Sequence, residues 1–198
     1  AKGLRIELDG DANDYVGKGL SGASIIVRPY GGATEANEEH AIIGNTCLYG
    51  ATSGRLLAAG RAGQRFGVRN SGADAVIEGC GTNGCEYMTG GTAVILGPVG
   101  DNFAAGMTGG HVFVYDPERR LDARLNRDTV LAFDLDGEGE GRCLAMIEAH
   151  ATETGSRIAK RILAAWPAER GHFVHLRGEE VVKRERAALA AANDSQTA

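Results

Sequence analysis

The chain has 198 residues, enough for one domain with a short appendage, and its 43% hydrophobic content can build a core. A net charge of −5 without any basic stretch argues against a nucleic-acid partner. The apolar runs are too short to span a bilayer and the sequence opens without a signal peptide, so we expect a cytoplasmic protein with no membrane partner.

Glycine is the unusual component, at 30 of 198 residues, while prolines number four. Gly60, Gly79 and Gly97 each close a short apolar segment, and they lie 19 and 18 residues apart. A period of this length with glycine at the bends is typical of a solenoid. A dinucleotide-binding fold is excluded because residues 44–116 contain no helix-period segment.

Alternate residues of these segments form columns that predict a solenoid interior. Two columns are entirely apolar, and since alternate residues of a strand share one face, both should point inward. A further apolar residue in each unit predicts a second interior wall. The two columns are Leu8, Val27, Ala58, Ile77, Ile95, Val114 and Ile6, Ile25, Leu56, Ala75, Ala93, Val112; the wall is Val16, Leu48, Phe66, Cys85, Phe103.

An outward column is also apolar apart from its first member. A free solenoid should be polar outside, so we expect this face to be covered. The column reads Glu7, Ile26, Leu57, Val76, Val94, Phe113, and its outward neighbour is mixed: Asp9, Arg28, Ala59, Glu78, Leu96, Tyr115.

These patterns predict a mainly β chain: residues 1–117 form a single-stranded right-handed parallel β-helix of about six coils, followed by a C-terminal α-helix. Residues 118–141, acidic and glycine-rich near their end, are predicted to be a linker. Residues 142–166 have apolar side chains at helical spacing and predict an amphipathic helix packed on the coils, with an interruption near Gly155. Residues 167–198 are predicted to be a charged C-terminal extension with a frayed tail.

Several glycine-rich strings in the chain carry a family resemblance. They are Gly10–Gly22, Gly44–Thr52, Ala59–Gly63, Val68–Gly72, Gly84–Gly91, Asn102–Gly110 and His150–Ser156. These strings closely resemble the C-terminal GXGXG domain of the glutamate synthase large (alpha) subunit, and the resemblance extends from about Leu4 to Trp166.

The resemblance implies a non-catalytic structural role inside an oxidoreductase assembly. In that family, a glutamine amidotransferase domain releases ammonia, which passes through an internal tunnel to an FMN-binding synthase domain with an iron–sulfur cluster. There 2-oxoglutarate becomes glutamate. The implied partners are therefore these two domains or subunits, with FMN and the cluster held there and no cofactor in this chain.

Alternatives remain open at this level. The chain resembles only part of the family enzyme, so it is either a piece of a longer polypeptide or a separate subunit. A stand-alone GXGXG scaffold of another amidotransferase-type or formyl-transferring complex is the second hypothesis, and a small-molecule binding module is the third. Because the family domain has further coils before this point, we expect residues 1–8 to be covered by another chain.

We predict no catalytic, cofactor-binding or metal-binding residue in the chain. Cys80 and Cys85 lack the second ligand pair of a structural zinc site. His172 and His175 should point to opposite faces of a strand. The remaining candidates considered and set aside are His40, His111, His150, the acidic pairs Glu38–Glu39 and Glu179–Glu180, and the bend residues Asp11 and Asp14.

One loop is expected to make contacts. The insertion from Tyr30 to Ala41 interrupts the repeat, and loops on rigid scaffolds often bind partners. We therefore hypothesise a partner contact for it.

Overall fold

The computed structural model describes residues 1–32 and 40–196. Most of the predicted contact loop, residues 33–39, lies outside the described residues, and its hypothesis stays untested. No helix in the described part of the chain is both long and apolar enough to cross a membrane.

Short strands separated by glycine-rich bends make up the first part of the chain. Most of them stack in parallel, in the order β1, β2, β4, β6, β7, β8, while β3 and β5 pair in a small second sheet. The strands are β1 (Arg5–Asp9), β2 (Ser21–Arg28), β3 (Ala41–Ile43), β4 (Ser53–Ala58), β5 (Arg61–Ala62), β6 (Ser71–Ile77), β7 (Thr89–Ile95) and β8 (Gly109–Tyr115). The predicted β-helix is confirmed, with about five turns rather than six, since each described turn joins two of the stacked strands.

The predicted columns coincide with the register of this parallel ladder. Ile25 lies opposite Leu56, and Leu56 lies opposite Ala75. The inward columns join one continuous apolar core, which is what hydrogen-bonded strands with matched apolar faces should form. Ile6 is the exception at the start of the stack, where it is 45% exposed.

The second interior wall is also present, but it occupies two neighbouring columns. Phe66 and Phe103 stand one residue before the centre of their bends, whereas Leu48 and Cys85 stand at the centre; all four are fully buried. Large side chains thus alternate between the two columns from coil to coil. Gly84 illustrates the packing, because a Cβ there would lie 2.7 Å from the ring of Phe103.

The bends have an unusual backbone in which every second residue is left-handed. The bend 65–69 has positive φ at Arg65, Gly67 and Arg69. The N–H groups of Arg65 and Arg69 donate to carbonyls of the following coil, and that of Gly67 donates to a carbonyl of the preceding coil, each at 2.9 Å. We expected glycine at such bends, but most of these positions hold other residues, because the inter-coil hydrogen bonds fix the strained conformation. The same pattern recurs at 15–19, 46–50, 83–87 and 102–106.

The C-terminal part folds back onto the coils and corrects two predicted boundaries. The segment predicted to be a linker contains β9 (Val130–Asp134), which pairs with β10 (Phe173–Gly178) from the predicted charged extension. β10 also pairs antiparallel with β8, so β9 and β10 close the end of the parallel ladder. Composition alone missed both strands because their partners are distant in sequence.

The amphipathic segment forms two main helices. α1 (Gly137–Thr154) begins earlier than predicted and ends at Gly155, whose φ of 74° is left-handed. α2 (Arg157–Ala164) begins after Ser156, whose side chain accepts a hydrogen bond from the N–H of Ala159. The interruption near Gly155 is therefore confirmed. The short α3 (Trp166–Glu169) and the C-terminal α4 (Glu179–Gln196) follow.

Candidate functional site

The apolar outer face of the coils is covered by α1 and α2, as the sequence predicted. One core cluster joins successive members of the outward column to the helices. Trp166 is half-buried at the edge of this layer, where its Nε1–H donates to Glu140 at 3.1 Å. The cluster combines Leu57, Val76, Val94 and Phe113 of the coils with Met146, Ile147, Ala151, Ile158 and Ile162 of the helices.

Glu7, the polar exception in the outward column, lies where the helix layer ends. Its carboxylate accepts hydrogen bonds from Arg5 at 2.7 Å and Arg28 at 2.6 Å. Arg5 also binds Glu153 at the end of α1 at 2.7 Å, and this bond lowers the pKa of the Glu153 carboxyl. A solvent-exposed ion network therefore replaces apolar cover at the first coil.

Beneath the helices lies a buried polar cluster, Glu78, His150 and Ser156. Ser156 Oγ–H donates to the Glu78 carboxylate at 2.5 Å, and Nε2 of His150 lies 3.4 Å from the same oxygen. The cluster joins the residue that follows β6 to both helices. Its serine is bound to the carboxylate rather than to the imidazole, so it lacks the nucleophile–base pairing of a hydrolase. All three residues are buried, which suits a structural tie.

The cysteines are part of the apolar core. All four are free and buried. Burial raises the pKa of the Cys47 thiol to about 11 and that of Cys80 to about 12, whereas a metal ligand must be a thiolate. In the described residues, no group of three metal-ligating side chains comes together.

Two histidines that are distant in the sequence lie side by side in the structure. His111 on β8 and His175 on β10 face each other with 3.0 Å between Nδ1 and Nε2. His172 lies just before β10 and is exposed, as are His40 and the bend residue Asp11. Asp14 accepts a hydrogen bond from the N–H of Asn45 in the next coil, in agreement with its predicted bend role.

The two ends of the coil stack differ. At the far end, β10 pairs with β8, and the N–H of Phe103 donates to the carbonyl of Arg124, so segments of the same chain close the last coil. At the near end, the outer edge of β1 pairs with no strand among residues 1–32 and 40–196. Leu4 and Ile6 are about half exposed there. The exposed strand edge and apolar side chains form a surface suited to pairing, which we call the open end.

A shallow cleft near the closed end was not anticipated from the sequence. It has a volume of about 650 Å³ and lies between the segment after β8 and strands β9 and β10. Its lining mixes cationic, acidic and aromatic side chains, among them Arg119, Arg127, Asp134 and Phe133. This mixture does not define one class of ligand.

Comparison with known proteins decides the family. Residues 1–179 match the family model described as the GXGXG motif. The chain belongs to the GXGXG family.

Similar proteins among the curated relatives include glutamate synthases of two bacteria and a yeast. This chain is 54% identical over 184 residues to the glutamate synthase [NADPH] large chain of Azospirillum brasilense, covering 92% of this chain and 12% of that protein. It is 49% identical over 172 residues to ferredoxin-dependent glutamate synthase 2 of Synechocystis, covering 86% and 11%. It is 48% identical over 191 residues to the glutamate synthase [NADH] of Schizosaccharomyces pombe, covering 94% and 9%. The GXGXG chain thus spans about a tenth of the length of these relatives.

Proposed function

We propose that this GXGXG chain is a non-catalytic structural domain or subunit of glutamate synthase. It would hold the glutamine amidotransferase and FMN synthase domains in register while ammonia passes between them to 2-oxoglutarate. The observation that carries the proposal is the stack of hydrogen-bonded parallel coils, in a sequence about half identical to a segment of glutamate synthases.

The rigidity of the stack supports this role. Its parallel strands are hydrogen-bonded coil to coil, and the bends are bonded in both directions along the stack. A continuous apolar core runs through the coils. A stack of this kind resists bending, because its close-packed interior has low compressibility. It can therefore keep the domains attached to it at fixed relative positions.

The electron donors named for the relatives also support a non-catalytic role. Those proteins are named for NADPH, ferredoxin and NADH, yet each is 48–54% identical to this chain. A segment that contacted the donor would be expected to differ with it. We place FMN and the iron–sulfur cluster in the partner domains, in agreement with the buried, protonated cysteines here. The free thiols suit a cytoplasmic enzyme.

The proposal is tested in the complete enzyme, by comparing glutamine hydrolysis with glutamate formation. Replacing the buried Ile95 by Asp puts an unpaired charge into the coil core and should disrupt the stack. We expect glutamine hydrolysis to continue while fewer glutamates form per glutamine consumed. Ammonia-dependent glutamate synthesis should be retained, since it does not require transfer between domains.

Thr108→Asp, at an exposed position beside the last coil, is the matched control and should leave the ratio unchanged. Two results would contradict the proposal. One is an unchanged ratio of products in a variant whose stack is shown to be disrupted. The other is turnover of glutamine or 2-oxoglutarate by the isolated chain.

A further inference from the structure

The imidazoles of His111 and His175 form a direct hydrogen bond between the last parallel strand and the antiparallel strand that closes it. Their ring centroids are 5.2 Å apart and the ring planes differ by 23°. With 3.0 Å between Nδ1 and Nε2, the two nitrogens point at each other nearly in the plane of both rings. One nitrogen must donate a proton and the other must accept it, so the pair requires at least one neutral imidazole.

His175 is enclosed on several sides. Its ring stacks on Phe113 of β8 with 4.4 Å between centroids, and Phe133 of β9 lies at 6.5 Å. The first turn of α1 sits directly on the ring, because a Cβ at Gly139 would be 3.0 Å from Nδ1. Only 5% of His175 is exposed. Little water can therefore reach a charge on this ring.

Charged groups of both signs surround the pair. Arg142 of α1 and Arg177 of β10 oppose protonation, whereas Asp136 before α1 favours it at His175. Glu138 of α1 and Glu185 of α4 favour it at His111. Two of these carboxylates already interact with the arginines: Glu185 accepts a hydrogen bond from Arg177 at 2.6 Å, and Glu138 lies 3.4 Å from Arg142.

We propose that His111 and His175 form an acid-sensitive lock that holds the antiparallel cap, β10 with β9, on the last parallel strand. While one imidazole is neutral, the N–H···N bond persists. When both are protonated, two N–H groups face each other at the same point and each ring carries a positive charge. The cap then loosens from β8 while the coils remain folded.

The direction of the pH dependence follows from burial. Burial lowers the pKa of His175 to about 4 and also lowers the pKa of His111, against an ordinary value of about 6.5 in an unfolded chain. Between these two pKa values, the form with the cap released from β8 binds more protons than the form with the cap in place. The lock is therefore fully stable above about pH 6.5 and weakens as the pH falls toward 4.

Hydrogen exchange of the full chain, measured at pH 7.5 and pH 5.0 and corrected for the intrinsic effect of pH, tests the lock. We expect the protection of amides in β10 to fall by about tenfold or more relative to those in β6. His175→Gln, which retains a side-chain donor and acceptor but does not titrate, should lose this acid response. His172→Gln, which alters an exposed histidine outside the pair, should keep it.

The imidazole resonances of the unmodified chain supply a measurement that needs no substitution. They should take up two protons in separate steps, the second accompanying the loss of protection in β10. Three results would overturn the lock: equal loss of protection in β6 and β10, an unchanged acid response in His175→Gln, or independent titration of the two rings near pH 6.5.

Discussion

At the scale of single residues, the bends contain the least favourable backbone conformations of the chain. Every second bend residue is left-handed, and side chains as large as those of Leu48 and Tyr87 occupy such positions. A non-glycine residue in this conformation costs roughly 1–2 kcal/mol. The cost is tolerated because most N–H groups at these positions donate to a carbonyl of a neighbouring coil, as all three do in the bend that begins at Arg65.

Replacing Gly50 by Ala should lower the free energy of unfolding by about 1 kcal/mol. Gly50 has a φ of 63°, and no atom lies within 4 Å of a Cβ built there, so the loss is conformational rather than steric. Gly141→Ala is the matched control: its Cβ also meets open space, but Gly141 lies inside α1. That variant should gain up to about 1 kcal/mol. Urea unfolding measures both, and a loss of equal size in the two variants would contradict this account.

Glycine has a second purpose where the strands begin. A Cβ at Gly72 would lie 2.2 Å from the carbonyl oxygen of Thr52, and one at Gly90 would lie 2.3 Å from that of Ser71. The coils therefore approach too closely for any side chain there. Gly72 and Gly90 lie 18 residues apart, so this contact accounts for a second glycine column beside that of Gly60, Gly79 and Gly97.

At the scale of elements, the helix layer is fastened to the coils in three different ways. Apolar packing joins α1 and α2 to the outward column from Leu57 to Phe113. A buried hydrogen bond joins Ser156 to Glu78. An exposed ion pair joins Glu153 to Arg5 at the first coil. Exposed ion pairs add little stability, so the buried contacts should dominate.

Ile147→Ala should therefore lower the free energy of unfolding by about 2–5 kcal/mol. Ile147 is fully buried between α1 and the coils, and truncation leaves a cavity that the rigid ladder cannot fill. The neighbouring Glu148 is exposed, and Glu148→Ala should change stability by no more than about 0.5 kcal/mol. Thermal or urea unfolding of both variants provides the measurement. Similar values for the two would mean that the layer is not packed as described.

At the scale of the whole molecule, the two ends of the coil stack differ. The cap of β9 and β10 covers the strand edge at one end, whereas the outer edge of β1 pairs with no strand of the described residues at the other. Solenoids need capped ends for solubility. We propose that the scaffold contacts the rest of the enzyme at the open end.

Ile6→Asp should weaken assembly with the rest of the enzyme while leaving the coils folded. Ile6 is already 45% exposed, so the chain alone loses little burial, but a buried interface would acquire an unpaired charge. Leu189→Asp is the control, because Leu189 is 65% exposed on α4, far along the chain from the open end. Circular dichroism checks the fold, and co-purification with the amidotransferase and synthase domains measures assembly. Equal recovery for both variants would argue against the open end as the junction.

The sequence by itself determined the repeating part of the molecule. Within one coil the bends and strands are local, and a period of 18 to 19 residues places equivalent side chains in register, so Leu56, Ala75 and Ala93 could be predicted to stack. The apolar outward column and the helical spacing from Leu144 to Ile162 likewise predicted the helix layer. The family resemblance added the expected role, which no column of side chains specifies.

Only the tertiary structure decided the contacts that join distant segments. Glu78 and Ser156 are 78 residues apart, and His111 and His175 are 64 apart. β9 and β10 lack a repeat to reveal their register, and they become strands only because β8 offers an unpaired edge at the end of the ladder. The fixed spacing of a repeat determines which residues stack on one another. The pairing of the cap depends instead on the exposed edge of β8, which exists only once the coils have folded.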